Sequence, residues 1–275
     1  MKTNLSQFLD DAFKPYGNFP ARKDVIQELL NNLEEKYDDL KASGKSDAEA
    51  YQLTVESFGD VTEIMGHVAH DEPKTDDKAT LGKSIVNGIK GVFGNEARFR
   101  AIPLENTDLS DTDLSGSDFS LSALMGTNFD HSALQKTKFR AAALNGASFI
   151  GADLTAAVFD SSDLQQVNFT DANLSGAKLV RCALQGAIFS GATLDNTHFK
   201  QADISALSFD GLTLHGTTFD SSSLKNATFH NTVLENVSFH HTVVKHTNFD
   251  GAVMDKVTFA LLKGIKANLD NVMVK

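Results

Sequence analysis

The chain has 275 residues, of which 41% are hydrophobic and 22% are charged, and its formal net charge at pH 7 is −11. This acidity disfavours direct nucleic-acid binding, because an acidic surface repels phosphate backbones. The single cysteine, Cys182, excludes an intrachain disulfide and a metal site built from several cysteines. The segment MKTNLSQFLDDAF is too acidic and too interrupted for a signal peptide, and no run of eighteen apolar residues is present, so we expect a cytoplasmic protein.

Residues 1–70 have the pattern of a small all-α domain. A first helix is expected near Leu5–Phe13. A second helix is predicted between Pro20 and Gly44, where apolar residues recur at helical spacing: Val25, Ile26, Leu29, Leu30, Leu33, Tyr37 and Leu40. A unit of this size is small but can bury one core.

Two further helices are predicted from capping patterns. Ser46 and Glu49 have the spacing of a capping box, and the helix that follows carries on one face Tyr51, Val55 and Phe58. Asp60 and Glu63 repeat the spacing and predict a fourth helix.

This helical region resembles the α-helical signalling domain found beside helix-turn-helix regulators, also called the permease-prefix domain. The resemblance is carried by the acidic helix Glu28–Leu40 and by the segments Gly44-Lys45-Ser46, Glu49-Ala50 and Phe58-Gly59-Asp60. It implies a regulatory or sensing module, often paired with a PadR-like repressor.

Residues 71–96 connect this domain to the rest of the chain. Residues 71–80 form a polar linker, and residues 81–93 place apolar side chains on one helical face: Leu81, Ile85, Val86, Ile89, Val92 and Phe93. With Lys83 and Lys90, this helix has the character of one that lies on a membrane surface. We favour a cap, because a solenoid must cover the open edge of its first coil.

From Leu104 to Phe259, every fifth residue is apolar, which gives thirty-two centres without an insertion. The residue two positions before each centre is usually Ala, Ser or Thr. A period of five fits neither a helix nor a strand, but it fits a chain that turns a corner once per five residues. The centre and the small residue both point inward, and the other three face water.

The centres fall into four ladders with a spacing of twenty residues. The ladders 109–249 and 119–259 are Phe, apart from Leu109 and Leu179, and the other two are aliphatic. Phe can stack on Phe at a coil spacing of about 4.8 Å. Eight such coils would make a rod about 38 Å long.

Segments such as Gly151-Ala152-Asp153-Leu154, Asp171-Ala172-Asn173-Leu174 and Gly176-Ala177-Lys178-Leu179 resemble the pentapeptide-repeat family, whose motif is A-(D/N)-L-x-x. The resemblance covers roughly residues 97–275. It implies a mainly β fold, a right-handed quadrilateral β-helix of about eight coils, here preceded by the small all-α domain. Because side chains fill the interior, no lumen is left for a ligand.

We expect no enzyme and no catalytic, cofactor or metal site. Histidines do stack with acids at the twenty-residue spacing, in the columns Asp195-His215-Glu235-Asp255 and Asp210-His230-Asp250. A flat outer wall offers no pocket that excludes water, so these columns are interpreted as polar ladders. Cys182 occupies a small inward position and is interpreted as a buried hydrophobe.

The unbroken register allows charges to be sorted by face. The acidic face, centred on the ladder 109–249, has no Lys or Arg and carries Asp108, Asp111, Asp130, Asp171, Asp210 and Asp250. The basic face, centred on the ladder 119–259, carries Asp118, Asp160 and Asp220 against Lys138, Arg140, Lys178, Arg181 and Lys200. The polarity is either an interaction surface or a means of keeping the rod in solution.

Three functional hypotheses follow. In the first, the chain is a regulatory adaptor, whose helical domain docks a transcription regulator and whose rod docks a protein partner. In the second, the rod mimics DNA and binds a type II topoisomerase, DNA gyrase or topoisomerase IV, with tolerance to quinolones, as some members of the resembled family do. In the third, residues 81–93 anchor a peripheral membrane protein.

After Phe259 the period weakens, because position 264 is Gly, and it resumes at Leu269 and Val274. We expect no long polar helix to cover this end, whose apolar residues are Leu261, Leu262, Val272, Met273 and Val274. A bare end exposes core and unpaired backbone. We therefore predict a homodimer through residues 260–275, and the alternative is that these residues fold over the end as a cap.

Overall fold

The computed structural model describes residues 2–14, 22–58, 86, 97–101 and 103–275. These contain four α-helices: α1 (Lys2–Phe13), α2 (Arg22–Ala42), α3 (Asp47–Glu56) and α4 (Lys256–Gly264). Six short strands are β1 (Lys178–Val180), β2 (His198–Lys200), β3 (Thr213–His215), β4 (Val233–Glu235), β5 (Val253–Met254) and β6 (Met273–Val274). In the described part of the chain, no helix combines the length and apolar character that crossing a membrane would need.

The first three predicted helices are confirmed. The capping box of α3 forms, because the Glu49 N–H donates to Ser46 Oγ at 3.3 Å while the Ser46 N–H donates to Glu49 Oε2 at 3.0 Å. The small core of this region includes the fully buried Leu5, Leu9, Phe13, Leu29, Leu33 and Phe58. The predicted fourth helix lies outside the described residues, as does the helix at 81–93, apart from a helical and fully buried Val86.

The solenoid turns a corner once per five residues, as the period predicts. At a typical corner the N–H of Thr107 donates to the carbonyl of Leu104 at 3.2 Å, and Asn106 between them has φ 57°. A positive φ at the third residue is the mark of a type II turn. A positive φ recurs at this corner position along the repeat, where the residue is Gly, Asn, Asp, His or another type.

Successive coils pair in parallel at a spacing of twenty residues. The N–H of Leu109 donates to the carbonyl of Asn128 at 2.7 Å, and the N–H of Asn128 donates back to Thr107 at 2.9 Å. Most of these pairings are single bridges between residues such as Asp108 and Asn128. They lengthen into the pair β1–β2 and the sheet β3-β4-β5-β6. The right-handed quadrilateral β-helix is therefore the architecture of this part of the chain.

The interior is filled as predicted. Of the thirty-two centres, all but Val244 and Phe259 are buried. Phe rings stack within each ladder, for example Phe129 on Phe149 with centroids 4.8 Å apart. The structure adds contacts between the two ladders, since Phe129 also meets Phe139 edge-to-face at 5.7 Å. Offset-stacked and edge-to-face pairs are each worth about 0.5–1.5 kcal/mol beyond burial.

The small inward position has a second role besides saving space. From Ser122 onward, a Ser or Thr at this position donates its hydroxyl to the carbonyl of a centre twenty-three residues earlier, as Thr127 Oγ1 does to Leu104 at 2.7 Å. The Sγ of Cys182 makes the same contact with the carbonyl of Phe159. Burial raises the pKa of the Cys182 thiol to about 12, so the group is a buried neutral donor.

The first coil is closed by α2, which sequence reasoning did not foresee. The Asn32 Nδ2 donates to the carbonyl of Arg98 at 2.7 Å, and the N–H of Arg98 donates to Asn32 Oδ1 at 3.0 Å. One buried side-chain amide thus replaces the two hydrogen bonds that a preceding coil would make. The Arg98 guanidinium adds ion pairs to Glu35 at 3.0 Å and Asp39 at 2.8 Å.

The repeat ends in a short helix, α4, which the period of five does not predict. Asp255 caps the start of α4 by accepting the N–H of Val257 at 2.7 Å and of Thr258 at 2.9 Å. Residues 256–264 are therefore helical, and Phe259 is a partly buried helix residue rather than a coil centre. Val244 is partly exposed because α4 replaces the strand that would have covered it.

Candidate interaction faces

The polar residue before a centre often stabilises the local turn by accepting a backbone hydrogen bond. Asp203 Oδ1 accepts the N–H of Ser205 at 3.1 Å, in the local turn that Asp and Asn favour, and hydrogen bonds from Ser205 lower the pKa of the Asp203 carboxyl. Asn128, Asn168 and Asn173 accept the corresponding N–H groups. Asp108 does the same for Ser110 at 3.0 Å. Asp108 therefore shapes its own turn as well as belonging to the acidic face.

The other acids of the acidic face occupy two columns beside the centres. Asp130, Asp210 and Asp250 each follow a Phe centre, and Asp111 and Asp171 stand at the corners with φ of 54° and 58°. The coils are stacked, so these side chains lie along one wall of the rod at multiples of about 4.8 Å. The structure thus brings together on one wall the residues that sequence register assigned to it.

These carboxylates are held by the next coil rather than by cations. Asp130 Oδ1 accepts the Ile150 N–H at 2.8 Å, and Asp210 Oδ1 accepts the His230 N–H at 2.7 Å. Asp250 Oδ1 accepts from the Asn271 amide at 3.3 Å. Among the described residues, none of the acids of this face after Asp108 forms an ion pair. Their negative charge is therefore available to an external partner.

The basic face has a different arrangement. Arg181 forms an ion pair with Asp160 at 2.5 Å, while Lys138, Lys178 and Lys200 have no ion pair with any described residue. Lys178 and Lys200 are exposed and Lys138 is partly so. This wall therefore keeps unpaired lysines on the side of the rod opposite the acidic face.

Each charged wall also carries aliphatic residues that sequence reasoning missed. On the acidic face Ile150 is partly exposed and Ile188 is 45% exposed. On the basic face Val158 and Val180 are partly exposed. The repeat register assigns these apolar residues to faces in the same way as it assigns the charges, so the sequence did contain the signal.

A groove lies where α2 meets the first coils. It has a volume of about 470 Å³ and is lined partly by Lys36, Asp39, Arg98, Asp118 and Lys138. Both cations and acids line it, and Arg98 already forms an ion pair with Asp39. The groove is thus part of the junction between α2 and the rod.

The histidine columns form no metal cluster within the part of the chain that the structure describes. His215 Nδ1 lies 3.8 Å from Glu235 Oε2, and Lys275 Nζ lies 3.7 Å from Glu235 Oε1. Asp255, the last member of that column, is occupied by the cap of α4. The geometry agrees with the interpretation as polar ladders.

The repeat geometry and the residues at its corners identify the fold. The family model described as "Pentapeptide repeat region" matches residues 95–169, 117–189 and 182–259. The chain belongs to the pentapeptide repeat family. The match covers the rod of this pentapeptide-repeat protein and leaves the helical region outside it.

Solved structures of other pentapeptide-repeat proteins are similar to this chain. QnrB1, a plasmid-mediated fluoroquinolone resistance protein, is 21% identical over 65% of this chain and 92% of its own, with a TM-score of 0.38. HetL, involved in heterocyst differentiation regulation in the cyanobacterium Nostoc sp., is 21% identical over 60% of this chain and 94% of its own, with a TM-score of 0.25. No curated protein matches.

The predicted C-terminal interface is partly occupied by the chain itself. Leu262 is fully buried and Leu261 and Val272 are partly buried, which removes Leu262 from any surface. Met273 and Val274 in β6 remain 60% and 44% exposed. The premise of a bare end is therefore corrected, and the homodimer remains a prediction that would rest on β6.

Proposed function

We propose that this protein is a non-enzymatic cytoplasmic interaction protein whose rod binds a protein partner through its acidic face. The observation that carries the proposal is a wall with no Lys or Arg, on which Asp111, Asp130, Asp171, Asp210 and Asp250 have no cationic partner among the described residues. Each of the other walls carries Lys or Arg beside its acids, and Asp160 and Glu235 form ion pairs there.

The rigidity of the wall supports recognition rather than mere solubility. The hydrogen bonds from Ile150 and His230 fix the carboxylates of Asp130 and Asp210, so a partner does not have to order them. Complementary potentials mainly set specificity and association rate. A partner with cations spaced along one line fits this wall.

The charge density favours a basic protein surface over full DNA mimicry. Seven coil spacings of about 4.8 Å place the first and last acids of the face about 34 Å apart. Duplex DNA of that length carries about twenty phosphates. The face has six carboxylates, so even half the duplex would be denser in charge.

A type II topoisomerase is the second candidate partner, because the acid-only face is the surface such an enzyme would meet in place of DNA. In both cases α2, which is fixed to the first coil by Asn32 and Arg98, holds the helical region at one end of the rod. We propose that the helical region docks a regulator there. The long walls remain accessible to the partner.

The test compares two full-length triple variants that each remove three charges. Asp130→Asn, Asp171→Asn and Asp210→Asn are combined on the acidic face, and Asp118→Asn, Asp160→Asn and Asp220→Asn on the basic face. Bacterial lysate proteins retained by immobilised wild-type protein and by the basic-face variant should be lost from the acidic-face variant. If the two variants retain the same proteins, the proposal is wrong.

A supercoiling assay separates the two candidate partners. If the partner is a topoisomerase, wild-type protein at micromolar concentration should alter gyrase supercoiling, and the acidic-face variant should not. No effect of wild-type protein would eliminate the topoisomerase candidate and leave the basic protein partner.

A further inference from the structure

We propose that the acidic face of one molecule binds the basic face of a second copy of this chain, so that rods associate side by side. The inference shares the acidic face with the proposed function and names one partner for it. It rests on the order in which charged and apolar side chains follow each other along the two walls.

On the acidic face, acids and isoleucines alternate from coil to coil. Five successive coils present Asp130, Ile150, Asp171, Ile188 and Asp210. Asp130 and Ile150 are adjacent in the column after the centres, since the Ile150 N–H donates to Asp130 at 2.8 Å. Asp171 lies at the corner of the next coil, and Ile188 lies before its centre on the same wall. A wall that only kept the rod in solution would have no use for isoleucines between its acids.

On the basic face, the column before the centres runs Asp118, Lys138, Val158, Lys178 and His198, and bridges join each residue to the next. Val180 lies in the same coil as Lys178, on the other side of the centre. From Lys138 to Lys178, this wall therefore also alternates cationic and aliphatic side chains.

The two sequences match when one rod is placed beside another without rotation. The chain runs in opposite directions on opposite walls, so the column after the centres on the acidic face meets the column before the centres on the basic face. Ten residues separate a centre from the one on the opposite wall, which is half a coil or about 2.4 Å along the axis.

In this register, three successive coils place acids opposite lysines and an isoleucine opposite a valine. Asp130 comes opposite Lys138, Ile150 opposite Val158, and Asp171 opposite Lys178. One coil further, Ile188 comes opposite Lys200 and Asp210 opposite Thr218, so the match is confined to these three coils. Each pair is offset by only half a coil, which long side chains such as Lys can bridge.

Such a contact is heterologous, because the two partners use different surfaces. Each rod keeps a free acidic face on one side and a free basic face on the other, so association continues into open rows rather than stopping at a dimer. The pairs are solvent-exposed charges, and salt should therefore weaken the association.

Sedimentation measurements on the full chain test the inference. The weight-average mass of wild-type protein at low salt should rise steadily with concentration above 29.7 kDa, and high salt should return it to one chain. The variant Asp130→Asn with Asp171→Asn and the variant Lys138→Gln with Lys178→Gln should each weaken association by on the order of 10-fold. Circular dichroism confirms that both variants are folded.

Mixing the two variants gives the sharpest outcome. The acid-deficient variant still has its lysines and the lysine-deficient variant still has its acids, so an equimolar mixture should form a complex of two chains and nothing larger. Wild-type protein that remains one chain at every concentration would overturn the inference. So would a closed dimer that both variants form as well as wild-type protein does.

Failure of this inference can be told apart from failure of the proposed function. The lysine-deficient variant retains the whole acidic face and should keep the lysate partners that wild-type protein retains. If wild-type protein does not self-associate but the acidic-face variant loses those partners, the side-by-side contact is wrong and the proposed function stands.

Discussion

The middle coils and the two ends of the rod are built by different means. In the middle, every coil makes the same contacts with the next, and residues twenty apart in sequence supply both hydrogen-bond partners, as Asp108 and Asn128 do. At the ends, the side chains of single residues supply the missing partners. Asn32 closes the first coil and Asp255 helps to close the last.

The comparison shows that both ends imitate a missing coil with side chains. In a regular corner, the N–H of Gly216 donates to the backbone carbonyl of Glu235 at 2.9 Å. One coil later, the N–H of Asn236 donates instead to the Asp255 side chain, at Oδ2, at 2.6 Å. The same corner N–H group donates a hydrogen bond in the two places. Only the source of the acceptor differs.

The largest effect is expected in the middle. Phe189 is 1% exposed and stacks on Phe169 at 5.3 Å and on Phe209 at 5.5 Å. Phe189→Asp buries an unpaired charge there and should destabilise the protein by about 3–5 kcal/mol or more, with loss of several coils. Thermal melting followed by far-UV circular dichroism measures it.

Phe189→Leu is the matched control for the middle of the rod. It should cost less than about 1.5 kcal/mol, because Leu179 already occupies a centre in the other Phe ladder. If the Phe189→Asp variant had the same melting temperature as the wild type, the centres would not point inward.

A smaller effect is expected at the first coil. Asn32→Ala removes the amide that satisfies both the N–H and the carbonyl of Arg98, and each group left buried without a partner costs about 1–3 kcal/mol. The neighbouring Asn31→Ala, on the exposed side of α2, should be nearly neutral. In hydrogen exchange, the loss of amide protection should be concentrated around residues 97–101. Equal melting temperatures for the two variants would contradict the capping role.

The smallest effect is expected at the last coil. Asp255→Ala removes the cap of α4 and the acceptor for Asn236, and should cost about 1 kcal/mol. Asp270→Ala, at an exposed position of the following turn, is the control and should have no comparable effect.

The contribution of Asp255 should also depend on pH in a defined direction. Burial by itself would raise the pKa of this carboxyl, but hydrogen bonds from Thr258, Asn236 and Val257 outweigh it and lower the pKa to about 2. The folded-state value lies below the ordinary value of 3.8, so the stabilisation is present above about pH 4 and is lost as the pH falls toward 2. The melting difference between wild type and Asp255→Ala should shrink over that range. A difference that stays constant down to pH 2 would contradict this assignment.

Several features were readable from the sequence because they depend on local repetition. The capping box of Ser46 and Glu49 needs only residues three apart, and the inward centres need only a period of five. The acidic face was readable too, because an unbroken register fixes which residues share a wall. The edge-to-face contacts between Phe129 and Phe139 were not, since they depend on how wide the coil is.

The end of the repeat could not be read in the same way. Phe259 continues the period, yet it lies in α4 because Asp255 at the preceding turn offers a cap to a helix. The same residues could form either a further coil of the repeat or a helix. The capping hydrogen bonds that Val257 and Thr258 donate to Asp255 favour the helix. The spacing of apolar residues alone does not show which of the two forms.

By itself, the sequence determined the coil, its filled interior and the polarity of its walls, because each depends on positions related by five or twenty residues. Only the tertiary structure decided how the ends are closed. The amide of Asn32 lies sixty-six residues from Arg98, and no periodicity links them. They meet because the open edge of a first coil has one N–H and one carbonyl to satisfy, and a side-chain amide offers the complementary pair.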